Sequence, residues 1–126
     1  MKRGWVAVCM ILLSLLLGIA EYLYVTSSAD IYTKMLDEAN EKMAQNDIYG
    51  AESASQKLKY RFDKESGMFN IFMYHSEVGS IANDLAMLER YAQTGCTEEF
   101  LATSARAKRE LLTVKYSKQL KWGNIF

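Results

Sequence analysis

The chain has 126 residues, of which 15 are basic and 15 are acidic. This balance excludes a protein that attracts nucleic acid through a large net positive charge, so no nucleic-acid partner is expected. Proline is absent, and its absence from a chain rich in Ala, Leu, Lys, Glu and Met favours long uninterrupted helices over a strand-rich fold with many turns.

The first predicted element is an apolar run that extends from Trp5 to Val25 (WVAVCMILLSLLLGIAEYLYV). It follows a short basic start and carries a single charge, Glu21, near its far end. A helix of about 20 apolar residues crosses a bilayer core of about 30 Å, so this run is long enough to span a membrane. We therefore predict that residues 1–26 form a signal anchor whose residues 5–25 lie in the membrane.

A cleaved secretory signal is the alternative interpretation, because it also joins a basic start to an apolar segment. Length favours the uncleaved anchor, since the apolar part of a cleaved signal has about 7 to 15 residues. Tyr22 and Tyr24 also suit the aromatic belt at a membrane interface. Ser27 and Ala29, however, form an A-x-A-like site that would allow cleavage before Asp30.

Both interpretations predict the same orientation. Lys2 and Arg3 are expected to stay on the cytoplasmic side, which places residues 27–126 outside the cytoplasmic membrane. With the anchor retained, the protein is predicted to be a single-pass protein of the cell membrane with one extracytoplasmic domain. Cys9 lies in the apolar run, so Cys96 is expected to be a free thiol, unless it pairs with a second chain.

The extracytoplasmic residues are predicted to form an all-α domain, a small antiparallel bundle of three to four helices. The first helix can continue the membrane helix with only a bend at Ser27 and Ser28. Asp47 is a suitable N-cap for the second helix, and Gly67 is expected to end it. A break at Gly95 separates the last two helices. The predicted helices cover residues 28–46, 47–67, 68–94 and 97–120.

Each predicted helix has one face that is expected to form the core. The third helix has the most regular pattern, with steps of four and three between its inward residues. That pattern consists of Tyr74, Val78, Ile81, Leu85, Leu88 and Ala92, flanked by Ile71 and Ala82. The inward residues of the other helices are Ile31, Met35, Leu36, Ala39 and Met43; Ile48, Ala51, Ser55, Leu58 and Phe62; and Phe100 or Leu101, Ser104, Ala107, Leu111 and Val114.

The last residues, Trp122 to Phe126, are unusually apolar for a chain end, and we expect them to fold back onto the bundle. They belong to the last of three short motifs in the chain. The motifs are YHSEVGSI at 74–81, the closing LKWGNIF at 120–126, and a helix start at Asn46, Asp47, Ile48 and Ala51.

In order and spacing, these motifs resemble those of a bacterial family, the domain of unknown function 4363, over nearly the whole chain. The resemblance implies a small, N-terminally anchored helical protein without an established activity. It also implies a companion of multi-spanning membrane proteins in Gram-positive bacteria. The candidate motif residues that it marks are His75, Glu77, Val78, Ile81, Asn124, Ile125 and Phe126.

His75 is the only histidine of the chain. Glu77 lies two residues further on and therefore on a different helix face, so the two side chains do not form a metal site together. A zincin motif needs histidines at i and i+4, and no nucleophile, base and orienting group converge in this sequence. We expect no catalytic residue, metal site or cofactor. A partly buried, structural His75, bonded to a neighbouring helix or to the docked C-terminus, is weighed against a pH-sensing role.

The charges are distributed unevenly along the extracytoplasmic segment. Acidic side chains predominate in residues 28–47, whereas residues 106–121 are strongly basic. These charges either pair with each other inside the bundle or leave a basic face for anionic lipid or a cell-wall polymer. The candidate basic face consists of Arg106, Lys108, Arg109, Lys115, Lys118 and Lys121.

Two functions are consistent with the sequence. The first is a structural or interaction module, an accessory subunit whose partner is a membrane protein of unknown identity. The alternative is a sensor domain, centred on His75, that responds to pH or to a small ligand. The protein is not expected to be an enzyme.

Overall fold

The computed structural model describes the backbone of residues 2–125 and the side chains of residues 2–120. The described residues form four helices and no strand, as the predicted all-α class requires. The helices are α1 (Lys2–Ala44), α2 (Ile48–Phe72), α3 (His75–Thr94) and α4 (Thr97–Ile125).

The helix α1 is a single helix of 43 residues that lies in two environments. Its first part, up to Ile19, carries apolar side chains that nothing in the structure covers. From Val25 onward, one side of the same helix is buried against the other helices. The helix is uninterrupted at Ser27 and Ser28, so the predicted boundary between anchor and domain lies within continuous helix.

The second part of α1 and the three following helices form an up-down-up-down bundle. Each helix packs against two neighbours, because α1 contacts α2 and α4, and α3 contacts the same two helices. Nearly all of the predicted inward residues of α3 and α4 are buried. The core contains Leu36, Ala39 and Met43 of α1; Ala51, Leu58 and Phe62 of α2; Val78, Ile81, Leu85, Leu88 and Ala92 of α3; and Phe100, Ala107 and Leu111 of α4.

Aromatic side chains fill the end of this core that is nearest to the apolar segment. The rings of Tyr32 and Phe62 lie 5.7 Å apart, and those of Phe62 and Phe69 lie 5.2 Å apart. The sequence pattern assigned Ile31 to the core instead of Tyr32. That prediction was wrong, because Ile31 is exposed and Tyr32 is almost completely buried.

The helix α2 extends beyond Gly67, which was predicted to end it, and reaches Phe72. Glycine in a helix costs about 1 kcal/mol relative to alanine. Burial of Phe69 two residues later offsets this cost, since a buried phenylalanine contributes about 1.5–3 kcal/mol. The third helix therefore begins at His75 instead of Met68.

The later start of α3 changes the location of two predicted core residues. Tyr74 is the N-cap of α3, in extended conformation, and its side chain is exposed. Ile71 belongs to the last turn of α2 and is also exposed. Ile48, the first residue of α2, is a further predicted core residue that is exposed.

The other two turns follow their local signals. Asp47 caps α2 as predicted, and its Oδ1 accepts a hydrogen bond of 3.0 Å from the backbone N–H of Gly50. Asn46, just before it, has φ of 59°, a left-handed conformation that asparagine tolerates better than most residues. Gly95 ends α3 with φ of 72°, as expected for a glycine C-cap.

Candidate functional site

The His-x-Glu motif does not converge on one site. His75 is exposed rather than partly buried, because α3 begins at this residue and leaves it at the end of the bundle. Its Nδ1 lies 2.8 Å from Oδ1 of Asn70, in the last turns of α2. Val78 and Ile81 of the same motif point into the core, and Glu77 is half-buried at the edge of a cleft.

Some predicted site residues lie outside the part of the chain with described side chains. These residues are Lys121 of the basic face, the closing motif Asn124, Ile125 and Phe126, and Trp122, which was expected to dock with them.

The basic face of α4 is engaged with carboxylates of the long first helix. Lys108 Nζ lies 2.9 Å from Oδ1 of Asp37, and Lys115 Nζ lies 2.6 Å from Oδ1 of Asp30. The hydrogen bond to Asp30 raises the pKa of Lys115 above its usual value. These contacts are the ones that internal pairing of the acidic and basic segments predicts.

The row of ion pairs between α1 and α4, called the α1–α4 seam below, continues to the apolar segment. Lys118 of α4 forms an ion pair with Glu21, the single charge of the apolar run, and both side chains are largely shielded from solvent. Along these ion pairs, residues later in α4 bind residues earlier in α1, as expected for an antiparallel helix pair. The last described turns of α4 therefore run beside the end of the apolar run.

On its other side, α4 contributes to a carboxyl cluster, which we define as Ser80, Asp84, Arg106 and Glu110. Asp84 is 3% exposed, although it carries a carboxylate. Its Oδ1 accepts hydrogen bonds of 3.1 Å from Nε and 2.5 Å from Nη2 of Arg106. Ser80 donates a hydrogen bond of 2.8 Å to Oε1 of Glu110.

The pKa of Glu110 is raised in this cluster. Burial raises the pKa of Glu110, and the charge of Asp84 raises it further, while the Ser80 hydrogen bond and Arg106 act in the opposite direction. Asp84 Oδ2 and Glu110 Oε2 are buried and have no hydrogen-bond partner among the described side chains. Protonation of Glu110 would supply a donor for the hydrogen bond to Asp84 that contributes to this raised pKa.

This cluster was not among the sites predicted from the sequence. A signal was available, since Asp84 falls three residues after Ile81 and four before Leu88, which is the spacing of the apolar stripe. A charged residue at such a position is buried only when it is paired. Its partner Arg106 had been assigned to the basic face, and the pairing of α3 with α4 could not be known from the pattern.

Two clefts open beside these groups. The first, of about 270 Å³, lies over the carboxyl cluster between α3 and α4. The second, of about 350 Å³, lies at the α2–α3 turn and is called the turn cleft below. The first is lined by Ser76, Glu77, Ser80, Arg109, Glu110, Thr113 and Val114. The turn cleft is lined by Glu21, Ile71, Phe72, Met73, Tyr74, Glu77, Val114, Ser117 and Lys118.

Metal-ligating side chains do not cluster in the part of the chain that the structure describes: no three His, Cys, Asp or Glu residues are placed to hold an ion. Cys9 and Cys96 are free thiols. The Sγ of Cys96, at the α3–α4 turn, lies 3.3 Å from the hydroxyl oxygen of Thr94.

The fold and these surfaces define a class: a small four-helix protein whose first helix is extended by a segment that is long and apolar enough to be a single-pass anchor or a signal sequence. Residues 19–125 match the family described as a domain of unknown function, DUF4363. The chain belongs to this family, which confirms the family predicted from the sequence. No curated protein and no solved structure matches the chain.

Proposed function

We propose that this protein is an accessory module of a membrane protein, held in the cytoplasmic membrane by an uncleaved α1 and carrying its bundle on the extracytoplasmic side. One observation supports this function most. The apolar part of α1 is exposed on every side, whereas the same helix contributes to the bundle core from Val25 onward. An apolar helical surface of this length is stable in lipid and unfavourable in water.

The junction between anchor and bundle supports a fixed geometry. Tyr24 lies 5.7 Å from the rings of both Phe69 and Phe72, measured between ring centroids. On the opposite neighbour, Lys118 pairs with Glu21. The bundle is therefore held against the last turns of the anchor from two sides. Such a module presents its surface at a defined height above the membrane, which suits an accessory subunit better than a tethered, freely moving domain.

Retention of the anchor is tested first. The full-length protein, extracted from native membranes, should resist alkaline carbonate treatment, and its intact mass should include residues 1–29. A mature protein that begins at Asp30 would overturn the anchor. Cleavage there would also remove Val25, Ser28 and Ala29 from the core, so the processed protein should be less stable than the full chain.

The partner is tested by photo-crosslinking in native membranes. A photoreactive amino acid replaces Leu16 on the anchor, Tyr60 on the middle of the bundle, or Tyr49 at its far end; all three side chains are exposed. We expect one membrane protein to be captured reproducibly from some of these positions and not from all of them. Unirradiated samples are the control. Self-adducts alone, or no adducts at any position, would contradict the proposal.

A second candidate function is a pH-responsive domain, and the carboxyl cluster favours it. His75 makes a weaker sensor centre, because it is exposed and, among the described side chains, has a hydrogen-bond contact only with Asn70. The cluster combines a carboxylate that is nearly inaccessible to solvent with a second carboxyl group whose pKa is raised by burial. Its test is the pH dependence described in the Discussion.

A further inference from the structure

The α2–α3 turn lies at the height where the anchor ends. Phe72, the last residue of α2, contacts Tyr24, and the turn cleft joins Glu21 to Met73 and Tyr74. A helix that enters the hydrocarbon near Trp5 crosses about 30 Å in about 20 residues, which brings it to the opposite surface near Tyr24. The turn is therefore level with the bilayer surface.

Exposed apolar side chains surround the anchor at this height. They come from three elements and form what we call the turn-end patch: Leu23 of α1, Ile71 of α2, the adjoining Tyr74, and Leu120 of α4. Ile71 is 70% exposed, Tyr74 is 77% exposed and Leu120 is 69% exposed. Leu120 follows Lys118 by two residues, and the Lys118 ion pair with Glu21 places this turn of α4 beside the anchor.

We propose that the turn-end patch lies in the interfacial layer of the lipid bilayer, so that the bundle rests on the membrane surface. The inference depends on the proposed anchor and adds to it a second contact with lipid. Continuity identifies the occupant, because the patch adjoins the helix segment that enters the membrane and lies on both sides of it. Tyrosine together with aliphatic residues is the composition that the interfacial layer favours.

The far end of the bundle provides an internal comparison. Tyr49 is 87% exposed there, as strongly as any residue of the turn-end patch. It follows the polar α1–α2 turn at Asn46 and Asp47, and it lies about 30 Å further from the membrane, which is the length of α1 from Val25 to Ala44. Tyr49 is thus as exposed as the turn-end patch but lies far from the proposed bilayer surface.

The test measures depth in the membrane with single cysteines. In a full-length background that carries Cys9→Ala and Cys96→Ser, cysteine replaces Ile71, Tyr74, Tyr49 or Leu16, one at a time. Each variant is labelled with a small environment-sensitive fluorophore and reconstituted in phosphatidylcholine–phosphatidylglycerol vesicles. Part of the lipid carries a nitroxide quencher, either at the headgroup or deep in the acyl chain.

The labels at Ile71→Cys and Tyr74→Cys should lose most of their fluorescence to the headgroup quencher, whereas the label at Tyr49→Cys should keep it. The label at Leu16→Cys should be quenched from the acyl chain, which reports the anchor separately. Unquenched labels at positions 71 and 74, together with a quenched Leu16→Cys, would overturn the lipid contact and leave the anchor intact. A Leu16→Cys label that no lipid quenches would overturn the anchor and, with it, this inference.

Discussion

The two parts of α1 have the same secondary structure and opposite surroundings. Before Ile19, its large apolar side chains are exposed in every direction; after Val25, only one side of the helix is apolar, and that side is buried. Helical periodicity is visible only in the second part, because a helix surrounded by lipid needs no polar face. One continuous helix thus has an unpacked apolar part and a packed amphipathic part, and the following predictions test this difference, starting from the largest expected effect.

The largest effect is expected from truncation of a leucine in each part of the helix. Leu36→Ala removes a fully buried side chain and should lower the free energy of unfolding of the bundle by about 2–5 kcal/mol. Leu16→Ala is the matched control, and it should leave this free energy unchanged because Leu16 is exposed. Urea denaturation in detergent micelles, followed by circular dichroism, measures both. Equal losses would mean that the two parts do not differ in packing as described.

A proline at the junction tests whether the two parts act as one helix. Ser27→Pro removes a backbone hydrogen bond and introduces a clash, and it should cost about 3 kcal/mol or more of stability. Ser27 is exposed, so Ser27→Ala is a suitable control and should be neutral. In the vesicle assay, the proline variant should also weaken headgroup quenching at position 71. A proline variant as stable as the alanine variant would contradict a continuous helix at this point.

The carboxyl cluster should make the stability of the bundle depend on pH. The pKa of Glu110 is raised above its usual value of 4.5 in the folded protein, so the folded state holds this proton more tightly than the unfolded state. The resulting stabilisation is complete below the usual value and is lost as the pH rises through the raised pKa. The groups that face Glu110 are Ser80 and Asp84 of α3, and Arg106 on its own helix.

Glu110→Gln should remove this dependence, since an amide can accept from Ser80 and donate to Asp84 at any pH. Its melting temperature, measured between pH 4 and pH 8, should therefore equal that of the parent at the acidic end and exceed it by a few degrees at the neutral end. Glu41→Gln changes an exposed carboxylate and is the control. Parallel melting curves for Glu110→Gln and the parent at all pH values would argue against the pH-responsive function.

The smallest effect is expected at the ion pairs of the α1–α4 seam. Asp37→Asn and Lys108→Met, combined in a double-mutant cycle, should give a coupling of about 0.2–1 kcal/mol, because both side chains are partly exposed. The coupling should shrink in high salt. A coupling that is large and insensitive to salt would show that this pair is more shielded than its exposure indicates.

The sequence predicted much of the bundle because its apolar positions recur in steps of three and four, as in Val78, Ile81, Leu85 and Leu88. It failed where tertiary packing outweighed a local signal. Gly67 suggested a helix end, but the burial of Phe69 carries α2 past it. Because α2 was predicted to end at Gly67, α3 was predicted to begin too early, and Tyr74 was assigned to its core face.

The candidate site could be predicted only in part. Ion pairs between the acidic and basic segments were anticipated as one of two alternatives, but their partners depend on the register between α1 and α4. Asp84 was not predicted as a site residue, because a polar residue within an apolar stripe resembles an interruption of that stripe. Only the packing of α3 on α4 shows that Arg106 neutralises it and that Glu110 lies beside it.

The uninterrupted α1 has a mechanical consequence. A helix without a hinge transmits torsion and axial displacement, so in the proposed membrane-anchored arrangement any movement of the anchor within the bilayer is imposed on the bundle. A shift by one helical residue amounts to about 1.5 Å along the axis, accompanied by a rotation of about 100°. In that arrangement, a membrane protein that binds the anchor can change the orientation of the bundle without contacting the bundle itself.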